Sequence, residues 1–189
     1  MTRSGLLSGV LLLLATSVVG STPLQWRLPH PVRATGIYVY ADPVSQLRLN
    51  VPQGWGVRAE TLNGIRQLRV VPPKADQRER AAIDVVIRVR PLLAGESLER
   101  MASYYKVARG DREAADVLRY LSKDSRLAVE YREGRYVSSR LWIVRRNLAL
   151  FQRLDQHRLL EASCAANASE YKTYRRNLET ICYSVAYGK

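Results

Sequence analysis

Residues 158–185, RLLEASCAANASEYKTYRRNLETICYSV, decide the fold. Leu160, Ala162, Cys164 and Ala166 alternate with Glu161 and Ser163, the period of two that a half-buried strand requires. Asn167 stands three residues before Glu170, the spacing of a capping box, so the spacing predicts a helix beginning there. Along it Tyr171, Tyr174, Leu178, Ile181, Cys182 and Val185 recur every three or four residues, while Lys172, Arg175, Arg176 and Glu179 fall on the remaining faces. A helix with one apolar stripe, fed directly by a strand, needs a sheet to lie on.

The preceding sequence offers that sheet. Ile37–Tyr40 is a short strand candidate, and Leu47, Leu49 and Val51 alternate with Arg48 and Asn50. Pro52, Gly54 and Trp55 mark a turn into a strand from Trp55 to Glu60; Asn63-Gly64 is a strong hairpin signal, with Ile65–Val71 as the return. Pro72 and Pro73 end that strand, and residues 74–80 read as a charged loop. Ile83, Val85, Ile87 and Val89 alternate strictly. Ser97 then caps a helix through Leu98, Met101, Ala102 and Tyr105, and a second helical pattern runs from Asp111 through Ala114, Ala115, Leu118 and Leu121. A meander follows: Leu127, Val129 and Tyr131, a turn at Glu133-Gly134, Tyr136–Val144, a break around Arg145–Asn147, Leu148–Leu154, and a turn at Asp155–His157. Strands grouped apart from helices predict an α+β fold: a mainly antiparallel sheet flanked by helices, with the C-terminal amphipathic helix packed on it.

The 189 residues, 47% hydrophobic and 25% charged, suit one compact domain. The first twenty are set apart: Arg3 precedes an apolar run, Leu6 to Leu14, followed by Ala15, Ser17 and Gly20. This is the layout of a secretory signal peptide cleaved after about Gly20; an uncleaved anchor is the competing reading, against which the run falls short of the ~20 apolar residues of a spanning helix. Residues 21–35, with Pro23, Pro29 and Pro31, form an expected extended arm, and 36–189 a single α+β domain. A periplasmic or secreted protein with no stable membrane span after cleavage is expected.

The net charge of +13 favours anionic partners. No pattern of aromatic and basic residues for stacking bases is present, so nucleic acid is not an expected partner; an acidic protein or an anionic envelope component is. Cys164 and Cys182 form an even pair in an oxidising compartment, which favours a disulfide. An unbroken helix from about Ala168 to Cys182 advances ~21 Å, however, and the bond needs α-carbons within ~7 Å, so it would require the helix to start late or end early. Two separate buried thiols remain the alternative.

The run Val51-Pro52-Gln53-Gly54-Trp55 resembles the P-x-G-W opening of the PsbP-like and DcrB-like superfamily. Ile83–Val89 leading into Ser97, Leu98 and Glu99 is similar to that group's middle. The closing strand and helix resemble its ending, with Tyr171, Tyr174, Leu178, Ile181 and Ser184 at the places of F-x-x-Y-x-x-x-L-x-x-I-x-x-S. The resemblance covers Ala34 to Tyr187. It implies an antiparallel sheet flanked by helices and no catalytic set, in a group whose members are binding or assembly modules, envelope lipoproteins and chaperones for secreted effectors. This chain lacks the lipoproteins' acceptor Cys and carries a leader that the cytosolic chaperones do not.

Chemistry is sparsely signalled. The two histidines are His30 and His157; Asp155, His157 and Ser163 could be assembled as a triad, but no G-x-S-x-G elbow presents the serine. No His, Cys or carboxylate pair has metal-ligand spacing, no cofactor is expected, and Glu130 and Glu133 read as solubilising residues. Asn167-Ala168-Ser169 is a glycosylation sequon only in a eukaryotic source. The sharper hint is Arg140, Trp142, Arg145 and Arg146, guanidiniums beside an aromatic, a composition favoured at interfaces, unless a helix covers the face and Trp142 is core. The expected function is that of an exported, non-enzymatic binding or assembly protein of the bacterial envelope. An immunity or chaperone-like protein for a secreted effector and a small envelope hydrolase are the alternatives.

Overall fold

The computed structural model describes residues 36–73, 82–121, 125–137 and 140–188, without the side chains of residues 135–142. All of them belong to one compact unit, Val32–Lys189. The expected leader (1–20), the expected arm (21–35) and the expected charged loop (74–80) lie outside the described residues.

Two sheets, each antiparallel at every pairing, build the domain. β1 (Ile37–Asp42), β2 (Leu47–Pro52) and β10 (Ala186–Tyr187) form a small sheet in the order β1-β2-β10. The large sheet joins β3 (Gly56–Leu62), β4 (Ile65–Val71), β5 (Ile83–Pro91), β6 (Val117–Leu121), β7 (Arg126–Val137), β8 (Arg140–Arg153) and β9 (Arg158–Asn167) in the order β3-β4-β5-β9-β8-β7-β6. α1 spans Leu98–Tyr105 and α2 spans Ala168–Ser184. The α+β expectation therefore holds. β9 lies between β5 and β8, so the strand that ends the sheet in sequence sits at its middle.

Alternation sets the core. Ile83, Val85 and Ile87 of β5, Leu148 and Leu150 of β8, and Leu160, Ala162, Cys164 and Ala166 of β9 share one face with Leu68 and Val70 of β4. Onto it close Tyr171, Tyr174, Leu178, Ile181 and Cys182 of α2 and Leu47, Leu49 and Val51 of the small sheet, all buried. The opposite face buries Leu127, Val129, Ala149, Phe151 and Leu159 under Leu98, Met101 and Ala102 of α1. Covered on both sides, this part of the sheet reads as the unbroken apolar run Leu148-Ala149-Leu150-Phe151.

The Pro-x-Gly-Trp turn and the C-terminal helix meet. Gly54 takes φ 87°, a left-handed conformation that glycine adopts freely, and Trp55 turns inward to touch Tyr174 edge-on, ring centroids 6.1 Å apart. Tyr38 donates its hydroxyl to the Trp55 carbonyl at 2.7 Å. The Asn63-Gly64 hairpin also forms as expected, both residues at positive φ and Leu62 opposite Ile65.

Three expectations fail. Residues 111–121 hold no second helix: Glu113 and Asp116 donate backbone N–H groups to carbonyls of Arg132 and Glu130, and Val117–Leu121 runs on as β6 along β7. The edge of β7 offers ladder bonds that outweigh the helical spacing of Ala114, Ala115 and Leu118. Glu133-Gly134 is not a turn, because β7 continues to Val137. Gly134 donates to the Asp111 carbonyl at 2.7 Å and Arg112 bridges Glu133, so the segment before β6 pairs along this edge of β7. Nor does β8 break at Arg145–Asn147, since Arg145, Arg146 and Asn147 pair in register with both neighbouring strands. Trp142 is the extra residue where that register shifts, between Leu141 opposite Tyr136 and Ile143 opposite Arg135.

Candidate functional site

α2 supplies the domain's most organised cationic face. Its apolar stripe points into the core, so Lys172, Arg175 and Arg176 are left exposed. Arg175 is tied along the helix to Glu179 at 2.7 Å. Lys172 and Arg176 have no carboxylate partner among the described residues. They lie four apart, and Tyr183 follows seven residues after Arg176, so all three share one stripe. Arg119 of β6 continues that stripe: its guanidinium lies 5.2 Å from the Tyr183 ring centroid and donates to its hydroxyl at 2.7 Å. Arg146 sits over Tyr171 at 5.4 Å while pairing with Asp116 at 2.8 Å. Burial pushes the Tyr171 phenol up to about 12, so it stays neutral beside these cations.

Many other guanidiniums are spent internally. On the opposite face of the large sheet Arg69 bridges Glu60 and Asp84, and Arg90 joins Glu161 to Glu96. Hydrogen bonds that Arg90 donates to Glu96 and Glu161 push it upward against the cost of its burial. Arg112 closes the end of α1, donating to the carbonyls of Tyr104 and Val107 and stacking on Tyr104 and Tyr105. These residues share their charge with partners inside the domain and shape the fold.

The four residues singled out in the sequence are not one patch. Arg145 is only 5% exposed and reaches Asp84 at 3.8 Å on the α1 side of the sheet, whereas Arg146 lies on the α2 side. Consecutive strand residues point to opposite faces, which is why the pair divides. Arg140 and Trp142 are placed only by backbone, at the start of β8; their side chains lie outside the described residues. The cations of α2 were visible only as the helix's polar side; their spacing of four, followed by seven to Tyr183, is the signal that marks them.

Cys164 and Cys182 are bonded, with α-carbons 6.3 Å apart and the helix unbroken from Ala168 to Ser184. The requirement for a late or early helix end was wrong because it ignored the strand's own travel. Four extended steps carry the chain ~13 Å past Cys164 before α2 turns back over the sheet, so much of the helix's ~21 Å recovers that distance instead of adding to it. No loop intervenes: Asn167 still pairs with Arg145 in the ladder and takes the N-cap position without a side-chain capping bond. The capping-box expectation fails for that reason.

The imagined triad is pulled apart. His157, in the turn before β9, and Ser163, within it, are six residues apart, ~20 Å in an extended chain. Asp155 instead accepts from the backbone N–H groups of His157 and Arg158 and from the Arg158 side chain, holding the turn. Glu130 and Glu133 lie on opposite faces of β7, and no group of three metal-ligating side chains assembles among the described residues. No described helix is long and apolar enough to cross a membrane.

Solved structures share this antiparallel α+β arrangement, the PsbP-like/Mog1 fold. The cyanobacterial PsbP (CyanoP) of Synechocystis sp. PCC 6803 superposes with a TM-score of 0.51 at 13% identity, over 80% of this chain and 92% of that one. The Ran-binding protein Mog1p of Saccharomyces cerevisiae gives 0.58 at 10% identity, over 80% and 95%. LpqN of Mycobacterium tuberculosis, involved in cell envelope biogenesis, gives 0.51 at 12% identity, over 82% and 91%. No protein-family model matches the chain, and no curated protein matches it in sequence. At such identities the likeness is one of fold.

Proposed function

We propose that this is an exported binding or assembly protein of the bacterial envelope, which docks an acidic protein partner through the outer face of α2 and the adjoining edge of β6. The observation that carries this reading is the stripe Lys172, Arg176, Tyr183 and Arg119, in which Arg119 stacks on Tyr183 and Lys172 and Arg176 follow along the same side of α2, none of the three cations with a carboxylate partner among the described residues. Arg and Tyr are enriched at protein interfaces, and cations of one sign steer an acidic partner. Two proteins of the same fold are a Ran-binding protein and a protein involved in cell envelope biogenesis, which supports binding as the use of this scaffold. The signal-peptide layout of residues 1–20 supports export.

The test is capture from an envelope fraction by tagged protein at about 50 mM and about 300 mM salt, because screening shortens the reach of exposed charges over this range. One acidic partner retained at low salt, released at high salt and lost in the double variant K172E/R176E is the expected result. Undiminished capture by that variant would overturn the assignment of the face.

A further inference from the structure

A second arginine-lined feature lies at another end of the fold, where the β1–β2 connection leans over β4, β5 and β9. A cleft of about 360 Å³ opens there between Arg66 and Arg158. At ~30 Å³ per water it has room for about a dozen waters, more than one inorganic anion needs. Ser45 and Gln46 of the β1–β2 connection form one wall and Tyr187 of β10 another, with Val44 and Val89 contributing apolar surface. No carboxylate among the described residues lines it.

Both guanidiniums are fixed from behind. Arg66 is held by Asp42 through Nε and Nη2, each at 2.8 Å, and Asp42 is only 3% exposed. Hydrogen bonds from Arg66, with those from Ser45, hold the Asp42 carboxyl well below the usual carboxylate range despite its burial, so the clamp stays charged at neutral pH. Arg158 is gripped by Asp155 through Nε, by the Tyr187 hydroxyl through Nη1, and by the Tyr187 ring 5.1 Å beneath it. A guanidinium has five donors, so each retains N–H groups for a further acceptor with its orientation already set. Two pre-oriented planar forks beside Ser45 and Gln46 suit a tetrahedral oxyanion, and the valines and the tyrosine ring suit a small organic group attached to it.

We infer that this cleft binds the phosphate group of a small organic phosphate or of a lipid headgroup. The site is independent of the partner-binding face of α2, so either reading can fail without the other.

The test is calorimetric titration with inorganic phosphate and with glycerol phosphate at fixed ionic strength, alongside flotation with phosphatidylglycerol vesicles. Saturable binding is expected in the free-phosphate arm, the vesicle arm or both, and the arm that responds identifies the source. Arg158→Gln, at a side chain 47% exposed, should weaken that binding at least tenfold, whereas R58Q on the exposed face of β3 should leave it unchanged. In the unmodified protein the amide resonances of Ser45, Gln46 and Tyr187 should move on phosphate addition, a readout that does not depend on the variant's folding. Absence of saturable binding in every arm, equal weakening by R58Q, or static Ser45 and Gln46 amides would overturn the inference.

Discussion

Removing the Cys164–Cys182 bond should weaken the domain without melting α2. The two residues are 18 apart and fully buried, and the bond pins the far end of α2 to the strand that feeds it. Closing a loop of that length removes chain entropy from the unfolded state worth about 3 kcal/mol. For a domain of roughly 150 residues each kcal/mol moves the midpoint by about 2–4 °C, so a loss of about 6–12 °C is expected. The packing of Tyr171, Tyr174, Leu178 and Ile181 is untouched by reduction, so the helix persists at ambient temperature. The assay is thermal unfolding followed by circular dichroism, oxidised and after refolding in reductant, with alkylation mass shifts confirming the thiol state. A fall below about 1 kcal/mol would refute the loop-entropy argument, and loss of helical signal before the transition would refute the packing of α2.

Asp42→Asn should cost about 2 kcal/mol at pH 7, less than the 3–5 kcal/mol of fully buried pairs, because Arg66 reaches solvent. The folded carboxyl titrates below its unfolded value of about 3.9, so the contribution is complete above that pH and is lost as pH falls through the interval below it. Urea midpoints of the two proteins should therefore differ at pH 7 and converge below about pH 4; a constant gap would show that the ionised carboxyl is not what stabilises. Trp55→Ala should cost about 3–5 kcal/mol, since the 4%-exposed ring wedges against Tyr174, and a loss under about 1 kcal/mol in chemical denaturation would contradict that contact.

Where one residue pattern had one physical use, the sequence was legible. The alternation of Ile83, Val85 and Ile87, the Asn63-Gly64 pair and the stripe of α2 each specified an element that the structure contains. Where local pattern and tertiary pairing competed, pairing won. Ala114 to Leu121 has helical spacing, yet the edge of β7 draws Val117–Leu121 into a strand, and Glu133-Gly134 resembles a turn until Asp111 and Arg112 are seen paired against it. Polar residues misled in the same way: Arg145-Arg146-Asn147 reads as a break because a sequence does not show Asp84 and Asp116 waiting on either side of β8. The proposed binding face was half legible, since the cations of α2 were apparent but Arg119 joins them only through the fold.

The docking face of α2 can be tested most directly inside cells, with a photo-crosslinking amino acid placed at exposed Thr173 of α2 or, as a control, at exposed Thr61 of β3. An adduct to a single acidic envelope protein from position 173, weakened by K172E/R176E and absent from position 61, is the predicted outcome. Adducts formed only from position 61, or an adduct from 173 indifferent to the charge reversal, would contradict the account.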